Sequence, residues 1–261
     1  RAKWQSVPEG TRFSLRGKRV GHRLASSASS NHDKQRGRMK VELVVFDVAG
    51  TTVNDDGAVA AALHRAARDF GVDPAPEEVD HVMGLAKPEA LAALLGDRAT
   101  GGHVQQAHAA FTHYMLEHYL RAPSVRPIQG AAATFFRLRE MGVKIALDTG
   151  FDRTILDAVL LRLGWNDEVD ATVASDEVPR GRPAPLMIRR AMELTGVSDP
   201  RRVAKVGDTP SDMREGVAAA CGLVIGVLTG TGSAAELRGA GATHVIPGVA
   251  SLPRLWVGAA A

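Results

Sequence analysis

Short apolar segments alternate with longer segments of helical pattern from residue 39 onward. The apolar segments cover 41–46, 143–147, 169–173, 202–206 and 223–227, with a shorter one at 243–246. The helical patterns between them occupy 131–141, 153–163, 184–195, 210–220 and 233–239. Strands that alternate with helices form a parallel sheet covered on both faces, so the sequence predicts an α/β fold with a Rossmann-like doubly wound parallel sheet.

The interval between the first two apolar segments is much longer than the others. Helical patterns that begin near prolines and end near glycines fill it, at 59–72, 76–84, 88–96 and 103–120. We therefore predict that residues 55–125 form an inserted all-helical cap domain over the carboxyl edge of the sheet. Residues 39–54 and 126–261 would then form the α/β core, with 121–130 as the return linker.

The basic charge of the chain is confined to its first 38 residues. These hold 10 Lys and Arg against 2 Asp and Glu, whereas the remainder holds 22 against 27. A mildly acidic globular part argues against nucleic acid as a partner. The leader is rich in Arg, Ser and Gly, and we predict a disordered basic N-terminal extension. A transit peptide or an anion-binding tail are the alternatives.

Cysteine content and hydropathy bear on the location of the protein. The chain has a single cysteine, Cys221, which excludes an intramolecular disulfide and suits a reducing compartment. No segment approaches the roughly 18 consecutive apolar residues of a membrane-spanning helix. We therefore predict a cytoplasmic protein with no membrane partner.

Five polar residues follow the ends of four predicted strands. Asp47 closes the first strand, Thr149 follows the second, Arg182 lies beyond the third, and Asp208 and Asp212 follow the fourth. The carboxyl ends of parallel strands meet at one edge of a sheet, so we expect these side chains to converge on one crevice. A phosphoryl-transfer site on such a sheet needs groups of these types.

The carboxylates predict a nucleophile and a metal site. Asp47 can attack phosphorus and form an aspartyl-phosphate, which divides one difficult step into two. Clustered carboxylates repel a phosphate dianion unless a hard cation is present, and Mg²⁺ prefers carboxylate, carbonyl and water ligands. We predict Asp47, the backbone carbonyl of Ala49 and Asp208 as Mg²⁺ ligands. Asp212 is predicted to serve the metal site through water or by orienting a ligand.

Other polar residues near these strand ends receive weaker interpretations. The hydroxyl of Thr149 and the guanidinium of Arg182 are predicted to offset charge on the transferring phosphoryl group. Lys205 either contacts phosphate or packs its stem along the strand edge. Asp148 and Asp152 flank Thr149 and fit surface positions.

The motifs "DVAGTT", "DTG", "GRP" and "KVGDTPSD" resemble the haloacid dehalogenase superfamily, and within it the phosphonatase (phosphonoacetaldehyde hydrolase) branch. The similarity runs from residue 43 to about 230. Most relatives carry an acid two residues after the nucleophile, whereas this branch is similar to the present chain in having alanine there, at Ala49. The resemblance implies that Thr149 and Gly150 bind phosphate and that Arg182 is catalytic.

The branch also implies a cap lysine that condenses with an aldehyde, and "VMGLAKPEAL" resembles that segment, which assigns the role to Lys87. Pro88 at the first helical position would place Lys87 at a helix N-terminus, where the helix dipole disfavours the ammonium form. Three positions depart from the branch: Ala90, Phe151 and Gly57 stand where it has histidine, tyrosine and cysteine. The phosphoryl half of the site is therefore kept, and the aldehyde half is kept only in part.

Together these features predict a Mg²⁺-dependent phosphonatase-like hydrolase that acts on a small phosphonate or phosphate compound. One alternative is a small-molecule phosphomonoesterase of the phosphoglycolate phosphatase type. An alternative of another class is a non-catalytic protein that binds a phospho-ligand. Relatives pair through their caps, so a homodimer is also considered, with the stripe Val104, Ala107, Phe111 and Met115 available either for pairing or for packing within the cap.

Overall fold

The computed structural model describes residues 41–257, so the predicted extension at 1–38 lies outside the described residues. Six strands form one sheet: β1 (Leu43–Asp47), β2 (Lys144–Thr149), β3 (Ala171–Ala174), β4 (Val203–Gly207), β5 (Leu223–Val227) and β6 (His244–Ile246). Their order is β3-β2-β1-β4-β5-β6, and every neighbouring pair is parallel. β1 therefore lies in the interior of the sheet, between β2 and β4.

Ten α-helices accompany the sheet in the part of the chain that is described. They are α1 (Ala58–Arg68), α2 (Pro76–His81), α3 (Lys87–Leu95), α4 (His103–Arg121), α5 (Ala131–Glu140), α6 (Arg153–Leu163), α7 (Leu186–Thr195), α8 (Pro210–Ala218), α9 (Ala234–Gly239) and α10 (Leu252–Val257). None of the helices within 41–257 is both long and apolar enough to cross a membrane.

Each face of the sheet has its own apolar core. Alternate residues of a strand point to opposite faces, so Phe46 and Val45 belong to different clusters. Phe46 packs against Phe135 of α5, with ring centroids 5.3 Å apart. Val45 shares the opposite cluster with Met187 of α7. Helices on both faces of a parallel sheet confirm the predicted doubly wound α/β fold.

Helices α1 to α4, here called the helical insert, lie between β1 and α5 in the chain. The segments that enter and leave the insert run side by side: the amide of Asn54 donates to the carbonyl of Arg126 at 3.0 Å, and that of Ile128 donates to Thr52 at 2.8 Å. The two connections thus act as one paired linker. The predicted domain limits at 54/55 and 125/126 stay predictions. The hydrogen bond between Asn54 and Arg126 lies next to both limits.

The apolar stripe of α4 packs inside the chain. Ala107, Phe111 and Met115 are fully buried, and Tyr119 extends the stripe by one more turn of the helix. Val104 packs against the same core cluster. Residues four apart share a helix face, which explains why they are buried together. The stripe is therefore not available as a dimer surface, and a homodimer through the cap stays a prediction without it.

Several predicted boundaries differ from the structure. The first helix of the insert ends at Arg68 and not near 72, because Gly71 takes the left-handed conformation, with φ 73°, that closes helices. Helix α2 ends at His81 and not at 84. Helix α3 begins at Lys87, so Pro88 is its second residue and not its first. Helix α10 was not predicted, since "LPRLWV" is too short to show a period.

Candidate active site

The predicted site residues meet at the carboxyl end of the sheet. Seven of the eight line one cavity of about 30 Å³, namely Asp47, Ala49, Lys87, Thr149, Gly150, Arg182 and Asp208. The eighth, Asp212, is buried in the first turn of α8 and is not part of the lining. A volume of this size holds about two water molecules, so the site is closed around a very small space.

Arg182 is buried and connects the acidic side chains of the site. Its Nη1 donates to Oδ1 of Asp47 at 2.7 Å, and its Nε donates to Oε2 of Glu215 at 3.1 Å. Its Nη2 donates to the backbone carbonyl of Asp148 at 2.9 Å and to the side chain of the same residue at 2.5 Å. Nη1 also lies 2.9 Å from Oδ1 of Asp212. All three nitrogens of Arg182 thus contact protein acceptors, and Nη1 holds the Asp47 carboxylate in place.

One further charged residue, Lys205, completes this network. Lys205 is fully buried on β4, where its Nζ pairs with Asp148, with Oε2 of Glu215 at 3.0 Å and with Oδ1 of Asp212 at 3.2 Å. The interpretation of Asp148 as a surface residue is wrong, because it is fully buried between Arg182 and Lys205. Lys205 does not pack its stem along a strand edge. Strand β4 lies inside the sheet, where a buried lysine needs acidic partners.

Burial and neighbouring charges shift the pKa values of these groups in different directions. Burial would raise the pKa of Asp148, but Arg182 and Lys205 together lower it. Burial raises the pKa of Glu215 to about 8, and the nearby Asp148 carboxylate adds to this effect. Burial also raises the pKa of Asp47 to about 6, although Arg182 opposes the shift. Proton affinity therefore differs sharply among carboxylates only a few ångströms apart.

Asp208 and Asp212 are held by different loops. Oδ1 of Asp208 accepts the hydroxyl of Thr51 at 2.9 Å, and Oδ2 accepts the amide of Thr231 at 3.1 Å. Burial, followed by the charges of Asp47 and Asp212, raises the pKa of Asp208 well above its usual range. Oδ2 of Asp212 accepts the hydroxyl of Thr209 at 2.5 Å, as the cap of α8. Asp208 thus faces the cavity, whereas Asp212 is engaged in the protein.

Glycines allow the backbone to approach the Asp208 carboxylate closely. A Cβ atom built on Gly230 would lie 1.8 Å from Oδ2 of Asp208, and one built on Gly50 would lie 2.7 Å from the same atom. These two positions therefore exclude any larger residue while Asp208 keeps its place.

The balance of buried charge suits a divalent cation. Five buried acidic and three buried basic side chains meet around the cavity: Asp47, Asp148, Asp208, Asp212 and Glu215 against Lys87, Arg182 and Lys205. When all are ionised, two negative charges remain in excess. Without a cation, burial raises the pKa values of Asp208 and Glu215 and so favours their protonated forms, whereas a divalent cation would neutralise the excess with both ionised. Carboxylate oxygens of Asp47, Asp148 and Asp212 lie within 4.8 Å of one another, but Arg182 and Lys205 already face that group. Asp208 lies outside that group and lines the cavity together with Asp47.

Lys87 is the one residue of the helical insert with a charged group in the cavity lining. Its Nζ donates to the carbonyl of Leu85 at 3.3 Å and lies 5.4 Å and 5.9 Å from the ring centroids of Phe151 and Phe111. Burial lowers the pKa of Lys87 to about 8, although the negative charge of Asp47 opposes the shift. A large fraction of the amine is therefore neutral near pH 8, as a nucleophilic lysine requires.

A narrow seam joins this part of the insert to the core. A Cβ on Gly150 would lie 2.5 Å from the carbonyl oxygen of Leu85, and one on Gly181 would lie 2.9 Å from Cβ of Ala86. The amide of Lys87 donates to the carbonyl of Gly150 at 3.3 Å. The segment that precedes α3 thus approaches the core closely at two glycines, through the backbone carbonyl of Leu85 and the Cβ of Ala86.

A family model described as haloacid dehalogenase-like hydrolase matches residues 41–220, more than half of the chain. The chain belongs to this family. As a member of this family the protein is an enzyme of the hydrolase class.

One relative by sequence and two solved structures are similar to this chain over most of its length. Phosphonoacetaldehyde hydrolase of Bacillus thuringiensis (strain Al Hakam) is 36% identical over 196 residues, which cover 68% of this chain and 72% of that protein. A phosphonoacetaldehyde hydrolase-like protein from Oleispira antarctica has a TM-score of 0.70 at 22% identity, over 84% of this chain and 92% of that one. A predicted phosphoglycolate phosphatase from Haemophilus somnus 129pt also scores 0.70, at 19% identity, over 84% and 100%. The two structures show the shared haloacid dehalogenase-like fold.

Proposed function

We propose that this hydrolase is a Mg²⁺-dependent, phosphonatase-like enzyme that cleaves the P–C bond of a small phosphonate bearing an aldehyde. The observation that carries the proposal is the presence of Lys87 and Asp47 in the lining of one closed cavity. A phosphatase needs no amine, whereas cleavage of a P–C bond needs a group that accepts the electrons of that bond. A buried amine with a lowered pKa supplies such a group.

The reaction would begin at Lys87. Its neutral amine adds to the aldehyde carbon, and loss of water gives a protonated imine. Oδ2 or Oδ1 of Asp47 then attacks phosphorus, and the electron pair of the P–C bond moves into the imine to form an enamine. One water molecule hydrolyses the aspartyl-phosphate to phosphate and regenerates Asp47. The enamine takes up a proton at carbon to become an imine, and a second water molecule hydrolyses the imine, which releases the aldehyde product and frees the amine of Lys87. Arg182 holds the Asp47 carboxylate at 2.7 Å throughout.

The metal and phosphate contacts belong to the same proposal. Asp47, the Ala49 carbonyl and Asp208 would hold Mg²⁺, which when bound offsets the charge of the phosphoryl oxygens. Asp212 would support them from α8, through its contacts with Thr209. Mg²⁺ is favoured over softer metals because the candidate ligands are all oxygen atoms.

Thr149 and Gly150 are proposed to contact the phosphoryl group, since both line the cavity at the end of β2. The hydroxyl of Thr149 accepts the amide of Phe151 at 3.2 Å, which leaves its own proton to be donated to a phosphoryl oxygen. Arg182 would reach the same group only through Nη1, next to Asp47.

A phosphomonoesterase of the phosphoglycolate phosphatase type is the second candidate. The fold shared with a predicted phosphatase supports it, and so do the apolar side chains of Ala90 and Phe151 at positions that carry polar groups in the phosphonatase branch. In this version water or a group of the insert replaces the acid that Ala49 lacks. The non-catalytic alternative is not retained, because the chain belongs to a hydrolase family.

Turnover of phosphonoacetaldehyde against a panel of phosphate monoesters, with Mg²⁺, tests the proposal. Wild type, Lys87→Arg and Asp47→Asn are compared, and borohydride is used to trap substrate on Lys87. We expect both variants to lose turnover of the aldehyde and only the Asp47 variant to lose all activity on monoesters. Unchanged aldehyde turnover in Lys87→Arg would exclude the imine, and full activity in Asp47→Asn would exclude Asp47 as the nucleophile.

A cytoplasmic location is also part of the proposal, because the chain has a single cysteine, which suits a reducing compartment.

A further inference from the structure

Tyr119 carries a buried hydroxyl that the protein leaves unpaired. The residue is fully buried on α4, and its Oη makes no hydrogen bond with any residue between 41 and 257. An unpaired hydroxyl in the interior costs folding free energy, and phenylalanine would fill the same space without that cost. The hydroxyl therefore needs a reason other than packing.

The position of Tyr119 connects it with the amine of the site. Its ring packs against Phe151, with centroids 5.8 Å apart and planes at 71°. Phe151 lines the cavity, and its ring lies 5.4 Å from Nζ of Lys87. Tyr119 thus lies one aromatic ring away from Nζ. A cavity of about 30 Å³ must widen to admit a substrate, and a shift of Phe151 in that movement would expose the hydroxyl of Tyr119 to the site.

The chemical state of the hydroxyl suits a hydrogen-bond donor. Burial raises the pKa of Tyr119 well above its usual value, and the carboxylates of Asp55 and Asp47 raise it further, so the phenol keeps its proton. The cavity lining includes three apolar side chains, Val59, Met83 and Phe151, and the ring of Phe151 lies beside Nζ of Lys87. These side chains offer no hydrogen-bond donor to a carbonyl oxygen.

We propose that the Tyr119 hydroxyl is the hydrogen-bond donor to the carbonyl oxygen of an aldehyde or ketone substrate as Lys87 attacks it. The inference rests on the proposed function, whose amine chemistry it completes. When the N–C bond forms, the π electron pair of the carbonyl moves to oxygen, and the phenol stabilises the charge that develops there. A phosphate monoester has no carbonyl at this position and makes no such demand.

The test compares Tyr119→Phe with wild type on phosphonoacetaldehyde and on a phosphate monoester. The matched control is Tyr114→Phe, which alters the chain's other tyrosine, on the same helix, where the hydroxyl donates to Asp69 at 2.5 Å. We expect the ratio of kcat/KM for the aldehyde to that for the monoester to fall about tenfold in Tyr119→Phe and to stay unchanged in the control. The Tm of Tyr119→Phe should equal or exceed that of wild type.

Each other outcome has a definite meaning. An unchanged ratio, or a lower Tm with an equal loss on both substrates, would show that the hydroxyl serves structure and would overturn this inference alone. Absence of aldehyde turnover and of borohydride trapping in the wild type would overturn the proposed function, and this inference with it. A slower rate of trapping on Lys87 in Tyr119→Phe than in the control would support it directly.

Discussion

Replacing Lys87 by methionine should make the protein more stable and inactive on an aldehyde substrate. The two side chains have similar length and shape, but methionine carries no charge. Lys87 is 3% exposed, and its Nζ has the carbonyl of Leu85 and two aromatic rings as neighbours. An ammonium group in these surroundings lacks most of the hydration that it has in the unfolded chain.

The pKa of Lys87 sets the size of the effect. Burial lowers it from 10.5 to about 8, and a shift of this size corresponds to at most about 3 kcal/mol. Below pH 8 both the folded and the unfolded states carry the proton, so the full cost is present. Between about pH 8 and 10.5 the unfolded state binds more protons, and the stability of the wild type rises with pH. The advantage of Lys87→Met should therefore be largest at pH 7 and fade toward pH 10.5.

Urea unfolding of metal-free protein at pH 7 and pH 10 measures this difference. The control is Lys144→Met, since Lys144 is exposed and pairs with Asp170 at the surface. We expect a change of less than about 1 kcal/mol for the control at either pH. Lower stability of Lys87→Met at pH 7, or an advantage that does not change with pH, would refute the buried-ammonium argument. The same preparation should show no borohydride trapping.

Three further changes test other parts of the site. Arg182→Lys should lower kcat about 100-fold with an intact fold by circular dichroism, because a single ammonium cannot hold the several acids that a guanidinium joins; near-normal turnover would contradict the network. Gly230→Ala should weaken Mg²⁺ binding at least about tenfold by calorimetry, because its Cβ would displace Asp208. Gly239→Ala, where a Cβ meets nothing within 4 Å, should bind normally. Mg²⁺ should raise the Tm of the wild type by a few degrees, because the cation neutralises the excess negative charge, and should leave the Tm of Asp208→Asn unchanged.

Much of the fold was accessible from the sequence because its signals are local. Each strand is a short apolar run, and the prediction of 153–163 as a helix agrees with α6, which Asp152 caps at its start and Gly164 at its end. The predicted ends of helices were less accurate where a single glycine stops the helix, as Gly71 does after α1. The alternation with helices predicted a parallel sheet, but nothing in the sequence indicated the order of its strands.

Most of the site was predictable because its residues follow strand ends, and Lys87 was predicted from the family resemblance. Asp47 and Asp208 stand at such positions, whereas Glu215 lies inside α8 and was missed. A signal existed, because Glu215 is three residues after Asp212 and so shares a helix face with it. Lys205 was a second signal in the sequence, because a lysine inside a buried strand needs acidic partners. Those partners lie far away in the chain, so only the three-dimensional structure could identify them.

The seam at Gly150 and Gly181 has a mechanical consequence. A side chain at Gly150 would meet the carbonyl of Leu85, and one at Gly181 would meet the Cβ of Ala86, so larger residues at either position would push the insert away from the core. The paired linker at Asn54 and Arg126 would keep the two tethered while they moved apart. Opening and closing at this seam would then belong to each turnover, since the small cavity has to admit substrate and release product.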